Sequence, residues 1–144
     1  GSIYLCIQRT GILMYDSAAG AFTSSAPFKA PENWNYGIRS AEDPRNGLLW
    51  LTFGDKGLAA YDYKTGETYT RLYNPKKIPL LNNWRVQESI ANIFIDKSGR
   101  YWLYNWPVWA GGGEVIHCLD STGTRYLKDT AGLVVYTGKY GEYR

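Results

Sequence analysis

The stretch Gly47-Leu-Leu-Trp50-Leu-Thr-Phe-Gly-Asp-Lys-Gly57-Leu-Ala-Ala-Tyr61-Asp62-Tyr-Lys-Thr-Gly66 decides the fold. Short apolar runs alternate in it with glycine-containing turn signals, which reads as consecutive β-strands joined by tight connections. The start of the chain repeats it. Gly1-Ser-Ile-Tyr4-Leu-Cys-Ile-Gln-Arg-Thr-Gly11-Ile-Leu-Met-Tyr15-Asp16-Ser-Ala-Ala-Gly20 superimposes at an offset of 46, with Gly1 on Gly47, Tyr4 on Trp50, Gly11 on Gly57, Tyr15 on Tyr61, Asp16 on Asp62 and Gly20 on Gly66.

A third copy begins at Asp96-Lys-Ser-Gly99-Arg-Tyr-Trp102, which aligns with Asp43-Pro-Arg-Asn-Gly47-Leu-Leu-Trp50. It then departs: Asn105-Trp106-Pro-Val-Trp109-Ala-Gly-Gly-Gly113 replaces Gly54-Asp-Lys-Gly57, and the pattern resumes at Val115-Ile-His-Cys-Leu-Asp120-Ser-Thr-Gly123. A fourth copy is begun at Val134-Val-Tyr-Thr-Gly-Lys-Tyr-Gly141. The repeats span approximately 1–36, 37–88 and 89–132, with the start of a fourth at 133–144. The anchor glycines 1, 47, 99 and 141 give periods of 46, 52 and 42. In the second copy strands are expected at about 37–42, 48–53, 58–63 and 67–73. No segment has sustained 3.6-residue periodicity, so little helix is expected. Four strands every ~40–50 residues is the pattern of a β-propeller blade. The expected fold class is all-β, about three four-stranded antiparallel blades of a partial propeller.

Composition narrows the function classes. Of 144 residues, 6 are Trp, 13 Tyr and 4 Phe, and 16 are Gly, which favours β-structure. Sixteen Lys and Arg against thirteen Asp and Glu give a net charge of +3 spread evenly, too dispersed for a nucleic-acid footprint. No apolar run approaches the ~20 residues of a membrane-spanning helix. One histidine and two cysteines cannot furnish a Cys/His metal or haem site, and no cofactor is expected. Cys6 and Cys118 read as buried small apolar residues.

The motif of an apolar-Trp-apolar strand, then Gly-Leu, an aromatic, Asp and a glycine turn resembles the two-component regulator propeller repeat. Asp96–Trp102 and Gly57–Gly66 fit it well; Tyr4 stands where the motif has Trp, and the third copy carries its insertion. The resemblance covers essentially the whole chain. It implies a place in the periplasmic sensor region of a hybrid two-component histidine kinase, where such repeats form seven-bladed propellers and oligosaccharides are a common signal. It thus implies an extracytoplasmic role in signal transduction, a carbohydrate or similar small ligand as partner, and no nucleic acid or direct membrane contact in this segment. Three blades leave an open arc whose end faces are apolar, so self-association or contact with remaining blades is expected. The first copy starts at a second strand and the last stops after a first strand, as in a piece of a longer propeller.

Candidate ligand-binding residues come from the loops. By propeller geometry the second-to-third turns and the inter-blade links share one end of the sheets. That places Trp34 and Tyr36, Asn83, Trp84 and Arg85, and Trp106 and Trp109 together. Flat aromatic faces beside amide and guanidinium groups suit sugars, which stack their C–H faces and need fixed partners for their hydroxyls. The alternative is that Trp34 and Trp84 pack between blades and Trp106 and Trp109 fill gaps beside the insert. Trp50 and Trp102 read as core.

No catalytic residues are assigned. Asp43 and Asp96, and Asp16, Asp62 and Asp120, recur before turn glycines. A catalytic carboxylate pair is the sharp reading and turn capping the plainer one, favoured because the positions recur in every repeat. His117 and Cys118 are neighbours on a strand and point to opposite faces, which argues against a dyad. Gly111-Gly-Gly113 lacks the Lys-Ser/Thr and helix of a phosphate loop. Lys76-Lys77 reads as a solvated pair. A propeller-type glycan-active enzyme and a purely structural or protein-interaction propeller are the competing functions.

Overall fold

The computed structural model describes residues 3–7, 11–24, 39–53, 57–83, 90–105 and 116–127. Among the described residues, strands account for 53% and helix for 5%, an all-β composition. The strands form three antiparallel sheets in sequence order. The first holds β1 (Tyr4–Ile7), β2 (Gly11–Asp16) and β3 (Ala21–Thr23). The second holds β4 (Arg39–Asp43), β5 (Leu48–Thr52), β6 (Leu58–Asp62) and β7 (Thr68–Thr70). The third holds β8 (Ile90–Ile95), β9 (Tyr101–Asn105) and β10 (Ile116–Leu119), and a bridge from Leu119 to Tyr126 lies at its outer edge. Each sheet is a meander, its strands paired in the order in which they are made.

The second sheet is covered on both faces. β5 reads Leu-Leu-Trp-Leu-Thr and β6 reads Leu-Ala-Ala-Tyr-Asp, and every residue of both is buried. Such continuous runs are what a strand needs when neither face meets water. Leu48, Trp50, Leu58 and Ala60 pack with Ile90, Ile93, Tyr101, Leu103 and Leu119 of the third sheet. Leu49, Leu51, Phe53, Ala59 and Tyr61 pack against Ile12 and Tyr4 of the first. Trp50 is fully buried as expected, but the residues flanking it do not face outward to solvent: they fill the junction with the first sheet.

The two junctions have the same polarity. At the offset of 46, Tyr4 and Ile12 correspond to Trp50 and Leu58, so each sheet gives its Trp50-type face to the next sheet's Leu49-type face. Among the described residues, two faces meet no neighbouring sheet. On the first sheet Ile3, Leu5, Tyr15 and Phe22 are exposed. On the third Phe94, Tyr104 and Ile116 are exposed beside a partly buried Trp102.

Between the second and third sheets runs a link that contains one helical turn, α1 (Pro79–Asn82), whose Leu80 and Leu81 enter the core. Tyr69, on the outermost strand of its sheet, is also fully buried. The Asp96 turn carries Gly99 at φ +78, in the left-handed region that a side chain resists.

Candidate functional site

Each sheet's turns are built on an aspartate, and the capping role is the one found. Asp16 Oδ1 accepts the N–H groups of Ala18 and Ala19 at 2.9 and 3.2 Å. Asp62 Oδ1 accepts Lys64 and Thr65 at 2.8 and 3.1 Å. Asp120 Oδ1 accepts Thr124 and Arg125 at 3.1 and 3.2 Å. This is the aspartate's local bonding habit, and it fixes the chain reversal.

Asp43 and Asp96 do more. Each accepts the indole Nε1–H of its own sheet's tryptophan on Oδ2, Trp50 at 3.4 Å and Trp102 at 3.0 Å. Asp43 is fully buried and also accepts Tyr101 Oη of the third sheet at 2.6 Å and Asn46 Nδ2 at 2.9 Å. Burial pushes its carboxyl pKa up, but the bonds from Tyr101, Asn46 and Trp50 outweigh it and the net shift is down. Burial and the Asp43 carboxylate push the Tyr101 phenol the other way, well above its ordinary range. Both shifts hold the same state, ionised Asp43 and neutral Tyr101. Two more bonds cross this junction: Asn46 Nδ2 donates to Tyr101 Oη at 3.1 Å, and Arg45 Nη2 donates to the Gly99 carbonyl at 2.8 Å.

Asp96 meets its needs within its own sheet. Arg100 donates Nε–H at 2.6 Å, and its guanidinium lies 5.5 Å from the Trp102 ring centre. Against the cost of burial, the bonds from Trp102 and from Arg100 hold the Asp96 pKa down to about 2.

Of the candidate ligand-binding residues, Trp34, Tyr36, Trp84, Arg85, Trp106 and Trp109 lie outside the described residues. Asn83 is described, and it does not sit where the link was expected. It caps the end of α1, and its Nδ2 donates to the carbonyls of Gly123 at 3.2 Å and Thr124 at 3.4 Å. Those residues follow β10, at the end of the sheet opposite the β9–β10 connection. The reason is local: β7 stops at Thr70, and Thr70 pairs back with Tyr73. The chain therefore reverses early and returns beside the Asp120 turn, where Leu80 closes against Gly123. The Asn83 amide is committed to backbone.

Lys76 corrects another expectation. It is half-exposed but not merely solvated: it pairs with Asp62 Oδ2 and lies 5.2 Å over the Tyr69 ring. That bond is the main cause of the lowered Asp62 pKa. Cys118 is a free, buried thiol whose pKa burial raises. His117 and Cys118 pair opposite Leu103 and Trp102 respectively, on opposite faces, and His117 is buried edge-on to Tyr126 at 5.9 Å. Among the described residues no group of three His, Cys, Asp or Glu side chains could hold a metal ion. No helix among them is long and apolar enough to cross a membrane.

The junction residues Asn46, Arg45 and Tyr101 were not singled out from sequence. One signal was available: Tyr101 stands where the aligned copies have Leu49 and Ile3, a polar change at a repeat position. No family model matches this chain, and no curated protein does.

Proposed function

We propose that the chain is part of an extracytoplasmic β-propeller, the periplasmic sensor region of a two-component signalling protein, and that it takes part in recognising a carbohydrate or similar small ligand. The observation that carries the propeller reading is the same-polarity stacking of one meander sheet per sequence repeat. Radially repeated blades require it, whereas a two-sheet sandwich turns its apolar faces toward each other and ends there. The recurrent Asp–Trp clasp at Asp43–Trp50 and Asp96–Trp102 supports the same reading, since one structural device serves equivalent positions. The signalling role and the periplasmic location rest on the resemblance of the repeat to two-component regulator propellers. The ligand class rests on that resemblance and on the aromatic and amide-rich sequence around Trp34, Trp84 and Trp106.

A second reading, a purely structural or protein-interaction propeller, has the Asn83 amide in its favour, because a group bonded to two carbonyls is not waiting for a hydroxyl.

Calorimetric titration of the chain with a panel of oligosaccharides, with product analysis of the same mixtures, separates the readings. Binding without turnover supports the sensor, and new products support a glycan-active enzyme. Binding that survives Trp84→Ala and Trp106→Ala removes those residues from the site. No heat with any oligosaccharide leaves the scaffold reading in place.

A further inference from the structure

We propose that the open face of the third sheet, around Phe94 and Trp102, is a docking surface for the open face of the first sheet, around Ile3, Leu5 and Tyr15, of a second copy of this chain. Such docking requires only the stacking polarity of the sheets, neither a closed ring nor a ligand.

Both internal junctions join a Trp50-type face to a Leu49-type face. Among the described residues, the two faces that meet no neighbouring sheet are one of each kind. Register places Phe94 opposite Trp102, and Tyr104 opposite Ile116, on the face turned away from Leu103 and Leu119. Leu5 pairs with Leu13 and Tyr15 with Phe22 on the face turned away from Tyr4 and Ile12. Continuing the established junction by one step therefore sets these faces against each other, head to tail. A face-to-face pairing of two identical ends has no counterpart in the molecule.

Polar groups agree with the step. In the junction between the second and third sheets, Asp43 draws a hydroxyl from across it, and Tyr101 supplies one. The residue aligned with Tyr101 on the first sheet is Ile3, which has none to give. Asp96, aligned with Asp43, makes no such demand, because Arg100 of its own turn already bonds it. The end carboxylate is satisfied in a way that lets an aliphatic neighbour cover it at no cost in unpaired polar groups. Exposed apolar side chains on both ends supply the drive: Phe94 at 61% and Ile3 at 58% exposure are the largest in each set.

The test uses the full 144-residue chain in sedimentation velocity from micromolar to several hundred micromolar, with Phe94→Glu and Leu5→Glu. Both substitutions fall on exposed positions, and near-ultraviolet circular dichroism and melting check that the fold is kept. Wild type is expected to associate in a concentration-dependent way. Each variant alone is expected to remain monomeric, because a head-to-tail contact between like chains needs both faces intact. Mixing the two variants should restore a complex that stops at the dimer, since one chain keeps its head and the other its tail. A wild type that stays monomeric throughout overturns the proposal. So does a Leu5→Glu chain that associates as well as wild type, which would mean like faces pair. Failure of two well-folded variants to complement each other overturns it as well.

Discussion

The phenol of Tyr101 donates to the buried carboxylate of Asp43 across 58 residues of chain, at 2.6 Å, and so ties the third sheet to the second. The same ring lies edge-on to Trp50 with centroids 5.7 Å apart. The contact therefore has an apolar part that phenylalanine keeps and a polar part that it loses. Tyr101→Phe should cost about 1–3 kcal/mol of unfolding free energy, the penalty for a buried charged acceptor stripped of a partner. Urea denaturation at neutral pH measures it. A loss under a few tenths of a kcal/mol would mean that the remaining bonds from Asn46 and Trp50 suffice.

That bond also marks where sequence reading stopped. The strands around Leu48–Thr52 and Leu58–Asp62 were legible because local pattern determines them: apolar runs bounded by Asp and Gly turns. The aspartate caps were legible for the same reason, each carboxylate bonding N–H groups within five residues. Tyr101 to Asp43, Arg45 to Gly99 and Lys76 to Asp62 were not. They depend on how sheets stack and where a link reverses, which no local period encodes. The place of Asn83 is of the same kind: it follows from the early reversal at Thr70–Tyr73, a detail of one short strand.

Equivalent tryptophans should not be energetically equivalent. Trp50 is fully buried between two sheets, whereas Trp102 is partly exposed on an end face. Trp50→Ala should cost about 3–5 kcal/mol, as large core truncations do. Trp102→Ala should cost roughly 1–2 kcal/mol, in the ordinary range for a half-covered side chain that loses one hydrogen bond. Paired denaturation curves at a concentration where the chain is monomeric check the ordering, and equal losses would contradict the assignment of Trp102 to an open face.

Two turn glycines separate backbone strain from a tertiary contact. Gly47 and Gly99 both have positive φ, +64 and +78. A methyl group on Gly47 would meet nothing, while one on Gly99 would overlap the Arg45 guanidinium. Gly47→Ala should therefore cost only the left-handed backbone penalty, about 1–2 kcal/mol. Gly99→Ala should cost about 1 kcal/mol more, because Arg45 must leave the Gly99 carbonyl. In an Arg45→Ala background that excess should vanish. A double-mutant cycle reads the coupling, and strictly additive losses would remove Arg45 from the account.

Acid should loosen the molecule in a defined window. Asp96 has a folded-state pKa of about 2 against an ordinary 3.8, and Asp43, Asp62 and Asp120 are lowered as well. Between those values the unfolded chain holds more protons than the folded one, so stability falls as pH falls. The contribution is complete above about pH 4 to 5 and is lost as pH drops through the folded values toward 2. Each carboxylate adds at most about 1.4 kcal/mol per pH unit to the slope. Asp96→Asn removes one titrating group but keeps an oxygen to cap the turn, so it should flatten the profile between pH 4 and 2.5 while costing more at pH 7 than at pH 2.5. Asp62 should differ in salt response: its partner Lys76 is 46% exposed, so its share should shrink at high ionic strength, whereas the buried Asp43 bonds should not. Urea midpoints taken from pH 7 to pH 2.5, at low and at half-molar salt, give both readings. A wild-type profile flat across that window would show that these turn carboxylates carry no net stabilisation in their charged form.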